Sequence, residues 1–435
     1  MVSTIDPTIA HLYRRAGFGG TPIELAAGTA AGYAATVEKL LDRTGPDDAD
    51  SVRLPDTTPP YIGPNPNAQQ RQQLSNQRQA QARQLTLWWL DRMATSSSPL
   101  REKLTWYWHN HFATSNEKVD SPAMMYTQNQ YLRTNGHASF EALAQGIAKD
   151  PAMMVWLDSN TNRKGRPNEN FSRELMELFT LGIGNYSDAD VREAARAFTG
   201  WTVDRGAIST ALVQAQADYD TKTLFGQTGA LRADEVVSLL VHQPSAPALV
   251  VRRLWSRLAF PVAADDAIVT ELARSFAVDL DISGLLRRVF ADPRFVSAEA
   301  RTGLVKEPVE WVVGGLRAFG LTATRMDSAS PSILTALDLL GQRPFQPPSV
   351  GGWGQNNYWL STQTSLARQR FAQAIANIAD LAWLDATAPS ERIDALATRL
   401  GVEKWTPPTL AALRSVTSPK TLVAVALTAP EYVLN

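Results

Sequence analysis

Asn170, Arg173, Glu174 and Glu177 are four polar residues within the stretch 167–182, Pro-Asn-Glu-Asn-Phe-Ser-Arg-Glu-Leu-Met-Glu-Leu-Phe-Thr-Leu-Gly. At about 100° per residue they share one helical face, while Phe171, Leu175, Leu178 and Phe179 share another. Two carboxylates three residues apart, steadied by an arginine and an amide, could bind a divalent ion or divide acid–base work. The same pattern also suits a solvated face. Glu169, Arg173 and Glu177 sit four apart, so one guanidinium can pair with a carboxylate on either side. Exposed pairs of that kind contribute well under about 1 kcal/mol each. Spacing alone leaves both readings open.

Histidine is the other candidate ligand. Of the five histidines, His109 and His111 lie together in Trp-Tyr-Trp-His-Asn-His-Phe. On a strand they would share a face and could chelate one metal. Ser98-Pro99-Leu-Arg-Glu-Lys-Leu reads as a helix start, and on a helix residues i and i+2 diverge by about 200°. One of the two could still join Glu174 and Glu177 in a site; otherwise both are core histidines among Trp106, Tyr107, Trp108 and Phe112. His137 falls in a turn and is expected to be exposed, and His242 to cap a helix. No His-Glu-x-x-His, P-loop, Gly-x-Ser-x-Gly or dinucleotide fingerprint occurs. Asp218-Tyr-Asp-Thr-Lys222 lacks the downstream acidic ligand of a calcium loop and reads as a polar turn.

Composition narrows the chemistry further. The 435 residues contain no cysteine, which removes disulfides, thiolate nucleophiles and Cys-ligated metals. Lysine and arginine (42) nearly balance aspartate and glutamate (43), which argues against nucleic acid or an anionic membrane as the main partner. No apolar run approaches the roughly 20 residues of a membrane span. Met1-Val-Ser-Thr-Ile-Asp-Pro7 has no basic region followed by an apolar core, so a cytoplasmic chain, or one that starts after cleavage, is expected.

The elements that must position these residues are helices. Thr21-Pro22-Ile23-Glu24 reads as a capping box, and Ser98, Ser187 with Asp190, and Ser418 open further helices. The six prolines in 44–68 make that stretch a loop. A long polar helix over 69–93 turns apolar at Leu85, Leu87, Trp88, Trp89 and Leu90. A second loop, 341–361, carries Gly351-Gly352-Trp353-Gly354 and should be packed by its tryptophan. The helix that begins near Asp190 follows the 168–182 helix closely. Antiparallel packing would bring Arg192, Glu193 or Arg196 towards its polar face. The fold class is therefore all-α: a large multi-helix domain with two lobes, 1–202 and 228–435, joined by an irregular 203–227 and holding at most a short β-hairpin.

Several blocks resemble one bacterial family: His11-Leu-Tyr-Arg-Arg-Ala-Gly-Phe-Gly19, Glu102-Lys-Leu-x-Trp-Tyr-Trp-His-Asn-His-Phe112, Asp150-Pro-Ala-Met-Met-x-Trp-Leu-Asp158, the 167–182 stretch, Asp190-Val-Arg-Glu-Ala-Ala-Arg-Ala-Phe-Thr-Gly-Trp201, Val305-Lys-Glu-Pro-Val-Glu310 and Phe345-Gln-Pro-Pro-Ser-Val-Gly-Gly-Trp353. The chain is similar to members of the domain of unknown function 1800 family over roughly 11–371. The resemblance implies a large helical domain and no established activity. It also implies gene neighbours that look like secreted sulfatases and phosphatases, and hence periplasmic or secreted work. The family's usual His-Pro pair stands here as His242-Gln243-Pro244, which weakens a role for His242. Two functional expectations follow. One is an enzyme with a polar, metal-assisted carboxylate site on Asn170, Arg173, Glu174 and Glu177, with His109 or His111 as further ligands. The other is a non-catalytic binding or assembly protein acting with a secreted sulfatase- or phosphatase-like partner. With 12 tryptophans, carbohydrate binding is a third reading.

Overall fold

The computed structural model describes residues 5–61, 63 and 65–434. Among them are twenty-five α-helices and two small antiparallel hairpins, so the all-α expectation holds. No described helix is long and apolar enough to cross a membrane.

Helix starts follow the local chemistry. Thr21 accepts from the Glu24 amide while Glu24 reaches back to the Thr21 amide, and Ser187 with Asp190 repeats the arrangement. Ser418 accepts from the Thr421 amide. Ser98 differs: its side chain makes no cap bond, and Pro99 alone marks the first turn. The long polar helix, Ala68–Thr95, is largely solvated in its early turns and sinks into the interior from Leu85 onward. Instead of one hairpin there are two. Strand β1 (Trp201–Asp204) pairs with β2 (Ser209–Leu212), and β3 (Lys222–Leu224) pairs with β4 (Gln227–Gly229). The β3–β4 turn has positive φ at both Phe225 and Gly226, the mirror-image turn that suits strand twist.

Two hydrophobic clusters fill the interior. One gathers residues of 9–40 with others of 100–295; the second joins residues of 85–94 to others of 305–432. The central helix, Pro99–His111, feeds both, sending Tyr107 and Trp108 into the first and Trp106 into the second. Apart from Arg101, every residue of this helix is buried. A helix enclosed on all sides is normally apolar throughout. This one also carries Glu102, Lys103, His109, Asn110 and His111, so each needs a partner inside the protein. Nine of the twelve tryptophans are buried, and Trp156, Trp201 and Trp383 are half-buried.

The loop 341–361 supplies several of the partners. Trp353 stacks on Trp106 with ring centroids 5.1 Å apart. Its amide donates to Asn110 Oδ1 at 2.7 Å, and the Phe345 amide donates to His109 Nε2 at 3.1 Å. Gly352 combines φ +76° with a close approach to Asn110, where a Cβ would collide with the Asn110 side chain and carbonyl. Only glycine suits both demands. The loop is thus packed by its tryptophan, as its composition suggests.

Candidate functional site

The 168–182 stretch is not one regular helix. An α-helical turn, Asn170–Glu174, passes into a π-helical turn, Leu175–Thr180, and positive φ at Gly182 and Gly184 ends it. Such π turns recur at functional sites. The wider turn buries Leu175, Met176, Phe179 and Thr180 and leaves Leu178 half-buried. Thr180 Oγ1 donates to the Leu175 carbonyl at 2.6 Å, and the amides of Leu181 and Gly182 both reach the Met176 carbonyl.

The four polar residues of this stretch do not act as one group. Asn170 is exposed, its side chain donating to the Leu157 carbonyl. Arg173 pairs with Glu169 at 3.1 Å and with Asp188 at 3.0 Å at the surface, not with Glu177. Arg196 stays with Glu193 and Asp218 instead of approaching this face. Glu177 accepts from the Tyr186 hydroxyl at 2.6 Å. Partial burial, then the nearby Glu177 charge, raises the Glu174 carboxyl above its ordinary range. Glu174 feels the Glu177 charge, whereas Asn170 bonds to the Leu157 carbonyl and Arg173 pairs at the surface.

Helical geometry separates the two histidines. His109 enters an aromatic cage of Trp89, Trp106, Phe345 and Trp353. Burial lowers its pKa to about 3, so it is a neutral acceptor for the Phe345 amide. His111 lies beside Phe179: its Nε2 meets the Phe179 carbonyl at 2.9 Å and its Nδ1 meets Arg253 Nη1 at 3.3 Å. A carbonyl can only accept, so Nε2 carries the hydrogen and Nδ1 offers its lone pair to the arginine. Burial, then the Arg253 charge, holds the ring neutral far below its ordinary pKa. His109, His111, Glu174 and Glu177 therefore do not form one ligand set, and among the described residues no three His, Asp or Glu gather around a possible metal position. Of the two histidines placed by local pattern, His137 differs from expectation and His242 does cap a helix, at its end. His137 is half-buried, because the turn packs under Ser283, and His242 ends a helix with Nδ1 on the Ser238 carbonyl.

His111 also lines a cleft that no sequence motif marks. The helix Ser245–Leu258 buries Val250, Val251, Leu254 and Trp255. Its other face turns Arg252, Arg253, Ser256 and Arg257 towards a cleft of about 380 Å³, closed by Tyr107, Asn110 and His111 of the central helix and by Trp353. No carboxylate lines this cleft among the described residues. A neighbouring cavity of about 410 Å³ shares Arg252 and Arg253 and has Glu177, Leu178 and Asn185 on its wall. Together they form a groove that is cationic at one end and holds the Glu177 carboxylate at the other.

Interior contacts fix the cationic end. Arg257 donates to the Trp353 carbonyl at 3.0 Å and forms an ion pair with Glu307 behind the cleft. Glu307 also accepts from Gln342 at 2.8 Å and from Trp106 at 3.3 Å. Glu310 reaches the Glu307 amide and pairs with Lys103. Burial lowers Arg257 to about 10, still fully charged near neutral pH. The Tyr107 hydroxyl is buried without a hydrogen-bond partner, and burial pushes its pKa up, so it remains a donor. Arg253 donates to the neutral His111 ring where a carboxylate would be usual. The arrangement can therefore hold an anion by charge and by directed N–H and O–H donors. A sequence signal was present: 245–258 has three arginines and no acidic residue.

An all-α protein with an ion-paired central helix and a cationic cleft against it is the class that this architecture defines. The chain belongs to the family described as Protein of unknown function (DUF1800), whose model matches residues 11–434. No curated protein and no solved structure matches it.

Proposed function

We propose that the chain is an enzyme acting on a small molecule that bears an oxyanion, bound in the groove between the 175–182 turn and the helix Ser245–Leu258. Arg252, Arg253 and Arg257 hold the anion, with Tyr107 as a neutral donor. Glu177, on the wall of the shared cavity and coupled to Glu174, is the group for acid–base work. The observation that supports this reading best is the cluster of three arginines on a cleft with no lining carboxylate. Glu307 neutralises Arg257, but Arg252 and Arg253 form no ion pair among the described residues, and cationic charge left at a concave surface favours an anionic guest. A sulfatase- or phosphatase-like partner, suggested by family resemblance, would release or consume such an oxyanion, and this connects the enzyme reading to the assembly reading.

The test is calorimetric titration with inorganic phosphate and with sulfate. Saturable binding is expected, weakened about tenfold or more in Arg253→Gln by loss of one charged donor (roughly 1.4 kcal/mol or more). Equal binding by Arg253→Gln and the native chain refutes the cleft. A Glu177→Gln protein that binds the anion yet loses turnover of a phosphate or sulfate ester supports the enzyme reading; unchanged turnover removes Glu177 from it.

A further inference from the structure

A larger cavity, of about 810 Å³, lies elsewhere, between the helix Thr362–Ile378 and the C-terminal helices Pro419–Thr428 and Pro430–Val433. Its walls include Leu360, Leu366, Ala424, Val425, Val433 and Leu434. Leu360 and Leu366 are 48% and 45% exposed, so apolar surface continues out to the rim. The volume falls within the range usual for small-molecule sites.

One charged side chain on this wall has an unusual environment. Arg368 is only 3% exposed and lines the cavity. Its Nη1 donates to the Trp359 carbonyl at 3.0 Å, while Nε and Nη2, both buried, have no hydrogen-bond partner. No acidic residue lines the cavity, and no ion pair to Arg368 is formed among the described residues. Burial alone lowers its pKa to about 10, which leaves it charged near neutral pH. The contrast with Glu102 is direct. That equally buried charge takes two arginines and an indole N–H as partners. A buried charge with two unused donors is unfavourable until an acceptor arrives.

We propose that this cavity binds an aliphatic carboxylate, with the carboxylate on the free Nε and Nη2 of Arg368 and the chain along Leu360, Leu366, Val425 and Val433. The geometry of the donors suits a carboxylate, because Nε and Nη2 form the guanidinium edge that meets two oxygens side by side. The apolar walls select a hydrocarbon tail, unlike the polar oxyanion cleft on the helix Ser245–Leu258. The site is independent of that cleft and shares no lining residue with it.

The experiment titrates the full chain with decanoate, decanol and acetate by calorimetry. Decanoate should bind at one site, at least tenfold more tightly than either decanol, which lacks the charge, or acetate, which lacks the tail. Arg368→Met should weaken decanoate at least tenfold while its melting temperature stays level or rises, since an unpaired buried charge has been removed. Val425→Trp, which fills the cavity and keeps Arg368, should also weaken it, and carries the test if Arg368→Met does not fold. Arg253→Gln should bind decanoate as the native chain does. Equal affinity for decanol and decanoate, or undiminished decanoate binding by Arg368→Met or Val425→Trp, overturns the proposal. So does a loss seen only in Arg253→Gln, which would place the carboxylate in the other cleft.

Discussion

The outer face of the 168–182 stretch and the interior of the central helix treat charge in opposite ways. Arg173 lies at the surface between Glu169 and Asp188, with solvent available to every group. Glu102 is fully enclosed and is held by Arg92 and Arg133 and by the Trp89 indole. Burial by itself would raise the Glu102 carboxyl, but those two guanidinium groups and the indole bond hold it below its ordinary value. The surface set can lose a member and be rehydrated. The interior set cannot, because water does not reach the partners left behind. A dense run of charges in sequence therefore says little about which of them matters energetically.

Among single substitutions Glu102→Ala should give the largest effect, leaving Arg92 and Arg133 buried without their shared carboxylate. The expected loss is about 3–5 kcal/mol, measured by urea unfolding. A loss under about 1 kcal/mol would show that the interior is as forgiving as the surface.

Acid should separate the two regions next. His11 and His109 are lowered to about 2 and about 3, and His111 lies well below its ordinary value, all chiefly by burial. In the unfolded chain each takes a proton near pH 6.5. Between that pH and the folded values the unfolded state binds more protons, so stability falls as pH drops, by about 1.4 kcal/mol per pH unit for each histidine. Asp150, raised to about 7 mainly by burial, acts in the opposite sense between its ordinary value and about 7 and offsets one of the three. Denaturant midpoints recorded from pH 7 to pH 4 should fall continuously. A flat profile would mean that these rings are not buried as neutral groups.

Arg173→Ala should give the smallest effect, within about 1 kcal/mol, because both of its pairs are exposed. A loss of several kcal/mol in the same urea assay would make this arginine a structural strut and dissolve the contrast.

Much of the fold is legible in the residues. Thr21 with Glu24 and Ser187 with Asp190 state their helix starts, because a cap is a local hydrogen-bond problem within four residues. Trp353 announces a packed loop for a similar reason: a large apolar ring beside glycines has to be covered. The candidate site was legible only in part. Glu174 and Glu177 are neighbours and Glu177 reaches a groove, but a regular helix over 168–182 was the wrong geometry. The π turn there, which buries Phe179, has no strong local signal. Arg252, Arg253 and Arg257 were visible as a cationic stripe, yet nothing local shows that Tyr107 and His111 close the space opposite them.

The sequence by itself determined the all-α class, the helix boundaries set by caps, prolines and glycines, the family, and the absence of cysteine chemistry. These follow from properties within a few residues or from composition. Only the tertiary structure decided which charges are spent on one another and which remain available. Glu102 and Arg133 are 31 residues apart, Arg253 and His111 are 142 apart, and Arg368 has no carboxylate beside it at any separation among the described residues. Pairing of buried charge is decided by where chain folding places distant residues, and the charge left unpaired lines the two cavities proposed to take an anion.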